Sequence, residues 1–189
     1  DANTIVVVTA DHGEAFFEHQ VNMFHEHLWQ ENIHVPWIIK LTNNKAARMK
    51  QWAQSIDIAP TFTDLAGISK GKFWMGHSQA PALLGTGAAP VEQPYSEYSD
   101  MRTIIDEKGM KLIINLPGAP YLYDLSKDPL EKTNLASSRP EEITRLRALM
   151  DARYNQGKAL SANFTAGSSG NLTPEQIEQL KALGYMQDQ

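Results

Sequence analysis

Asp11, His12 and Gly13 follow directly on the run Ile5-Val6-Val7-Val8-Thr9. A carboxylate beside an imidazole offers one hard oxygen and one nitrogen donor, which is half of a site for a divalent cation. The same residues allow a plainer reading, in which Asp11 caps a following helix and His12 has no chemical part. Further along, His19, His25 and His27 crowd one polar stretch, and His34 and His77 stand apart from it. Histidine changes charge near neutral pH, so any of these could move a proton or hold an anion. Each could equally be a hydrogen-bonded surface group. His25 and His27 would share a face if their segment were extended.

The elements that must position these groups come next. Residues 5–9 are β-branched without a break, the pattern of a strand buried on both faces in the middle of a parallel sheet. In open α/β sheets the carboxyl ends of such strands are where ligands bind, and Gly13 would let the backbone turn there. A central strand needs neighbours on both sides, so a segment preceding these residues is expected. Leu28 to Asn32 reads as a helical turn, and Val35 to Ile39 as a core strand with Pro36 at its start. Ser55-Ile56-Asp57 opens a helix that carries Pro60 in its first turn and stops at Gly67. Residues 69–94 hold much of the Gly and Pro and read as an excursion over the surface.

From Tyr95 the pattern becomes short strands at 95–98, 102–106, 110–115 and 121–125, with Gly109 in a hairpin turn. Pro140-Glu141-Glu142 opens a helix that aligns Ile143, Leu146, Leu149, Met150 and Tyr154 on one side. Residues 161–170 are low in complexity and read as flexible, and Thr173 caps a last short helix. Asn163-Phe164-Thr165 and Asn171-Leu172-Thr173 have the form of glycosylation sequons, a form that arises easily by chance. The divisions expected are 1–94, 95–160 and 161–189.

Composition narrows the function. A formal net charge of −5 argues against a nucleic-acid partner. The absence of an 18-residue apolar run argues against a membrane-spanning helix. With no cysteine there is no disulfide, thiolate ligand or cysteine nucleophile within these residues.

Four segments in order carry a resemblance: Thr9-Ala10-Asp11-His12-Gly13-Glu14, then 29–39, then Asp57-Ile58-Ala59-Pro60-Thr61 with 65–68, then 122–129 with Asn134-Leu135. Together they resemble the C-terminal half of a formylglycine-dependent sulfatase of the alkaline-phosphatase-like superfamily. The resemblance implies an α/β fold, the C-terminal part of a mixed-sheet sandwich, followed by a small antiparallel sheet with a packed C-terminal helix. It implies hydrolysis of sulfate monoesters, on a small molecule or a glycan, in the periplasm or outside the cell.

By the same resemblance Asp11 and His12 belong to the metal site, His12 standing where many sulfatases have Asn. Calcium is the expected ion, with manganese, magnesium and zinc as alternatives. His25 takes the slot of the family's sulfate-contacting basic residue, as catalytic and substrate-binding group, with His27 as second choice. His77 falls near the mouth of the site as a substrate-binding residue, and His34 has a structural role. The formylglycine motif is expected in an N-terminal part that would partner this chain, so the chain alone is expected to be inactive and prone to aggregate. A phosphonate or phosphate ester hydrolase of the same superfamily, or an inert fragment, are the alternative readings.

Overall fold

The computed structural model describes residues 3–20, 27–42, 46–88, 90, 92–115, 118–165 and 172–182. Contacts divide the chain into two units, 1–158 and 159–189. In the first, Val6–Thr9 (β1) pairs with Trp37–Lys40 (β2), antiparallel and with Val7 opposite Ile39. Between them lies the short helix Gln30–Ile33 (α1). After β2, a single 3₁₀ turn at Ser55–Asp57 leads into Ile58–Leu65 (α2), and Ala80–Leu83 (α3) packs beside it.

The centre of the unit is a four-stranded antiparallel sheet in sequence order: Tyr95–Tyr98 (β3), Met101–Ile105 (β4), Met110–Asn115 (β5) and Tyr121–Asp124 (β6). Strand side chains alternate between faces, and here both faces find a cover. Ile104, Met110, Leu112, Ile114 and Leu122 pack with Leu146 and Met150 of the long helix Pro140–Ser161 (α4). Ile105, Ile113 and Tyr123 pack the other way, with Leu28, Leu125 and the half-buried Trp29 and Ile33. The β4–β5 hairpin turns at Gly109, whose φ of 82° only glycine adopts without strain. The buried carboxylate of Asp106 secures that turn by accepting the amides of Lys108 (2.9 Å) and Met110 (2.8 Å), and Arg145 of α4 pairs with its other oxygen.

The outer edge of β6 is closed by the segment that follows it. Asn134 accepts the Leu122 amide at 3.0 Å, and the Leu135 amide donates to the Leu122 carbonyl at 2.8 Å. In the second unit, Pro174–Ala182 (α5) begins with a reciprocal cap. Thr173 N donates to the Gln176 side chain, and Gln176 N to Thr173 Oγ1. The sequence reads Leu183 as docking this helix and Gly184 as ending it, and both lie outside the described residues.

One expectation is corrected. β1 is neither parallel nor buried on both faces: Val6 is 43% and Val8 53% exposed, and its partner β2 runs the opposite way. Val6 and Val8 share the open face with Ile38, whereas Val7 and its partner Ile39 on the other face are half-buried, so among the described residues the ribbon is covered in part and on one side only. No helix among the described residues is long and apolar enough to cross a membrane.

Candidate functional site

β1 delivers Asp11 and His12 to its carboxyl end. The two side chains lie on the same side, with His12 Nε2 3.8 Å from Asp11 Oδ2. Asp11 Oδ1 accepts the His12 amide at 3.0 Å, which orients the carboxylate. His12 Nδ1 lies 2.9 Å from the Gly13 carbonyl. A carbonyl only accepts, so Nδ1 carries the hydrogen and Nε2 is the nitrogen turned toward the carboxylate. An imidazole held through one nitrogen by a backbone carbonyl is the usual posture of a metal-ligating histidine. The donor chemistry therefore fits a divalent cation at Asp11 and His12. No group of three or more such donors converges among the described residues, so these two would furnish part of a coordination set.

Gly13 is required here for closeness rather than for a turn. Its amide donates to the Asn32 carbonyl at 2.7 Å, and a Cβ on it would stand 2.0 Å from the Glu31 carbonyl oxygen. The segment after the two candidate ligands is thereby pressed onto the backbone of α1. Gly13→Ala should force the two backbones apart and cost about 2 kcal/mol or more. Thermal unfolding against the parent would show it, and an unchanged midpoint would contradict the packing.

Of the histidines, His25 lies outside the described residues. His27 is half-buried, its ring 4.8 Å from Trp29 and inclined 45° to it. His19 stacks flat on Trp29 at 4.4 Å, with Nδ1 2.7 Å from Glu31 Oε1 and Nε2 3.1 Å from the Glu131 carbonyl. Both nitrogens of His19 thus serve the packing of its loop. His34 meets Trp52 edge-on at 6.4 Å. The His77 amide donates to Asp57 Oδ1 at 2.8 Å, and its ring lies 3.7 Å from Glu92, which pairs with Arg153 of α4 at 2.8 Å. Asp57 also accepts the Gln54 amide and the Gln79 side chain. That buried carboxylate fastens residues 77–79 to the start of α2.

The sequence does not announce the buried ion pair of Lys111 and Glu131. Their charged atoms are 2.6 Å apart and both side chains are fully buried. Glu131 also accepts the Gln30 amide at 2.6 Å, and Lys111 Nζ reaches the Gln30 side chain at 3.3 Å. Burial pushes the Lys111 ammonium below its usual range, against the pull of Glu131. The available signal was a lone lysine in Met110-Lys111-Leu112-Ile113-Ile114, at a position facing α1 rather than α4.

The sulfatase family model matches residues 1–68, from β1 through α2. The Δ4,5-hexuronate-2-O-sulfatase of Bacteroides thetaiotaomicron is 31% identical over 171 residues, 82% of this chain. The chain corresponds to the C-terminal part of a sulfatase. Arylsulfatase K of Mus musculus is similar at 32% identity over 156 residues, 73% of the chain. A solved 2-O GAG sulfatase superposes with a TM-score of 0.71 at 29% identity, over 89% of this chain. The fold is that of the alkaline-phosphatase-like sulfatases. The chain spans 36% of the first relative, 28% of the second and 40% of the solved structure.

Proposed function

We propose that this chain furnishes part of the metal-binding side of a sulfatase that hydrolyses sulfate monoesters on glycans. What carries the reading is the end of β1, where Asp11 and His12 turn carboxylate and imidazole to the same side within a segment matched by the sulfatase family. Two of the similar proteins are named for 2-O-sulfated substrates, one a hexuronate and one a GAG. A 2-O-sulfated uronate is accordingly the favoured substrate class.

A divalent cation held by Asp11 and His12 would draw charge from the ester oxygens as a Lewis acid. An oxygen-rich set favours calcium or magnesium, and the imidazole tilts the balance toward manganese or zinc. The chain's own contribution is positional. Asp11 is oriented by the His12 amide, His12 by the Gly13 carbonyl, and Gly13 by α1. The nucleophile, a formylglycine, would come from a further, N-terminal part of the enzyme, and the pair of parts would work in the periplasm or outside the cell. His25 would stabilise the sulfate or protonate the leaving oxygen. His77, tied through its amide to Asp57, would at most border the site.

The test is a pH–rate profile on one aryl sulfate with the complete enzyme. His25→Ala should lower kcat by roughly 10²-fold or more, the effect of losing one proton-transfer or charge-stabilising group. His25→Lys should retain part of the rate and flatten its fall at alkaline pH, because a lysine stays charged where a histidine does not. His27→Ala and His34→Ala should cost far less. A silent His25→Ala beside a dead His27→Ala would transfer the role to His27. No aryl sulfate turnover by the parent, with phosphonate esters hydrolysed instead, would overturn the sulfatase reading.

A further inference from the structure

α1 is a single helical turn, Gln30–Ile33. So short a helix has little stability of its own, and its place must be set by what grips it from outside. Trp29, its N-cap residue, makes no side-chain cap. The Gln30 amide, which the turn itself cannot satisfy, finds its acceptor 101 positions along the chain, in Glu131 Oε2 at 2.6 Å. The other Glu131 oxygen is held by Lys111, whose Nζ also reaches the Gln30 side chain. A second tie runs alongside, where His19 spans from the Glu31 side chain to the Glu131 carbonyl. Glu131 itself has a φ of 52°. A residue with a Cβ adopts that left-handed backbone only where its surroundings impose it.

The carbonyls of the same turn seat the segment that carries the candidate ligands. Gly13 N donates to the Asn32 carbonyl at 2.7 Å, and the Glu31 carbonyl oxygen stands 2.0 Å from where a Gly13 Cβ would be. The Gly13 carbonyl in turn holds His12 Nδ1 at 2.9 Å. Contacts this close leave no slack, so a shift of α1 reaches Gly13 and His12 instead of being absorbed. Stability alone does not call for two buried charges at this place, since a well-packed apolar pair of similar volume often serves a fold as well or better. What the carboxylate supplies, and an apolar side chain does not, is an acceptor at a fixed point for one particular amide.

Resting on the metal-site reading above, we infer that Glu131, held by Lys111, is a positioning residue for Asp11 and His12. It fixes the first amide of α1, α1 seats Gly13, and the Gly13 carbonyl sets the ring of His12. The four-stranded sheet and the turn after β6 thereby govern the geometry of two ligands carried by β1.

The test compares two double variants of the complete enzyme, Lys111→Met with Glu131→Gln and Lys111→Met with Glu131→Leu. Both remove the charges of the pair, and only the first keeps an acceptor for the Gln30 amide. Two quantities are read: the Kd for Mn2+ added to metal-stripped enzyme, and hydrogen exchange of the peptide spanning residues 9–15 without metal. The Gln variant should stay within about 2-fold of the parent in both, because a neutral acceptor still makes the bond. The Leu variant should bind Mn2+ about 10-fold more weakly or worse, the usual effect of losing a group that orients a metal ligand. Its 9–15 peptide should exchange about 10-fold faster through local opening. Urea unfolding reports stability separately, and a merely structural role would move that and leave the Kd of the folded enzyme alone. His19→Phe keeps a ring on Trp29 and removes the second tie. It is the further probe should the Leu variant fail to fold, with a Kd about 5-fold weaker. Equal Kd for the two double variants, or His19→Phe matching the parent where the Leu variant does not fold, would overturn the inference. A parent that binds no Mn2+, or binds it as well after Asp11→Ala, overturns the metal reading instead. Equal exchange of the two double variants would then overturn the positioning role as well.

Discussion

If Asp11 and His12 hold a divalent cation as proposed, Asp11→Asn in the complete enzyme should release it and lower kcat by about 10³-fold. An amide keeps the shape of the carboxylate and its contact with the His12 amide, so the fold should survive. What it removes is the negative charge that compensates a dication, and loss of one strong electrostatic stabiliser alone costs about 10²- to 10³-fold. Metal content by mass spectrometry, read beside activity, separates the two effects. His12→Asn is the informative partner. It replaces the nitrogen donor by an oxygen donor and should keep an ion, with preference moving toward calcium. If Asp11→Asn retained both its metal and its rate, the assignment of β1 as the metal-bearing strand would fall.

Lys111→Met should be the most damaging substitution for stability, at about 3–5 kcal/mol, the usual cost of removing one partner from a buried ion pair. Among the described residues, the fully buried Glu131 carboxylate would keep the Gln30 amide as its one close partner. Neutralising the carboxylate as well should return most of the loss. Lys111→Met with Glu131→Gln keeps an acceptor for Gln30 and leaves no buried charge at this place. Urea unfolding of the parent, single and double variants gives the coupling directly. A cost under about 1 kcal/mol for the single change would mean the pair is solvated or dispensable.

The second half of unit 1 was largely legible because its information is local. Alternation, a Gly-containing turn and Pro140 before two acids placed β3 to β6 and the start of α4 close to where they stand. What escaped the sequence depended on partners distant along the chain. The β-branched run at 5–9 states a preference for strand and not how many neighbours the strand will find. Alternation marks Lys111 as facing away from α4, but on this sheet the far side is covered as well. Gly13 reads as a turn residue, while the reason it must be glycine is the carbonyl of Glu31 eighteen positions on. His77 attracts notice for its ring, yet its firmest bond is through the backbone amide. Of the candidate site, the residue types at Asp11 and His12 were legible, and their shared orientation needed the structure.

The sheet of four strands pairs only neighbours in the chain, whereas the β1–β2 ribbon joins Val6 to Lys40. Loop-closure entropy therefore weighs little on the sheet and more on the ribbon, which makes the sheet with α4 the natural first piece to fold. Amides in the interior of β4 and β5 should exchange with solvent only on global unfolding, and those of Val7 and Val8 through small local openings. The two candidate ligands thus hang from a strand pair expected to be less protected than the four-stranded sheet. Whatever completes their surroundings would be felt first as slower exchange along Val6–Thr9, long before the buried strands register any change.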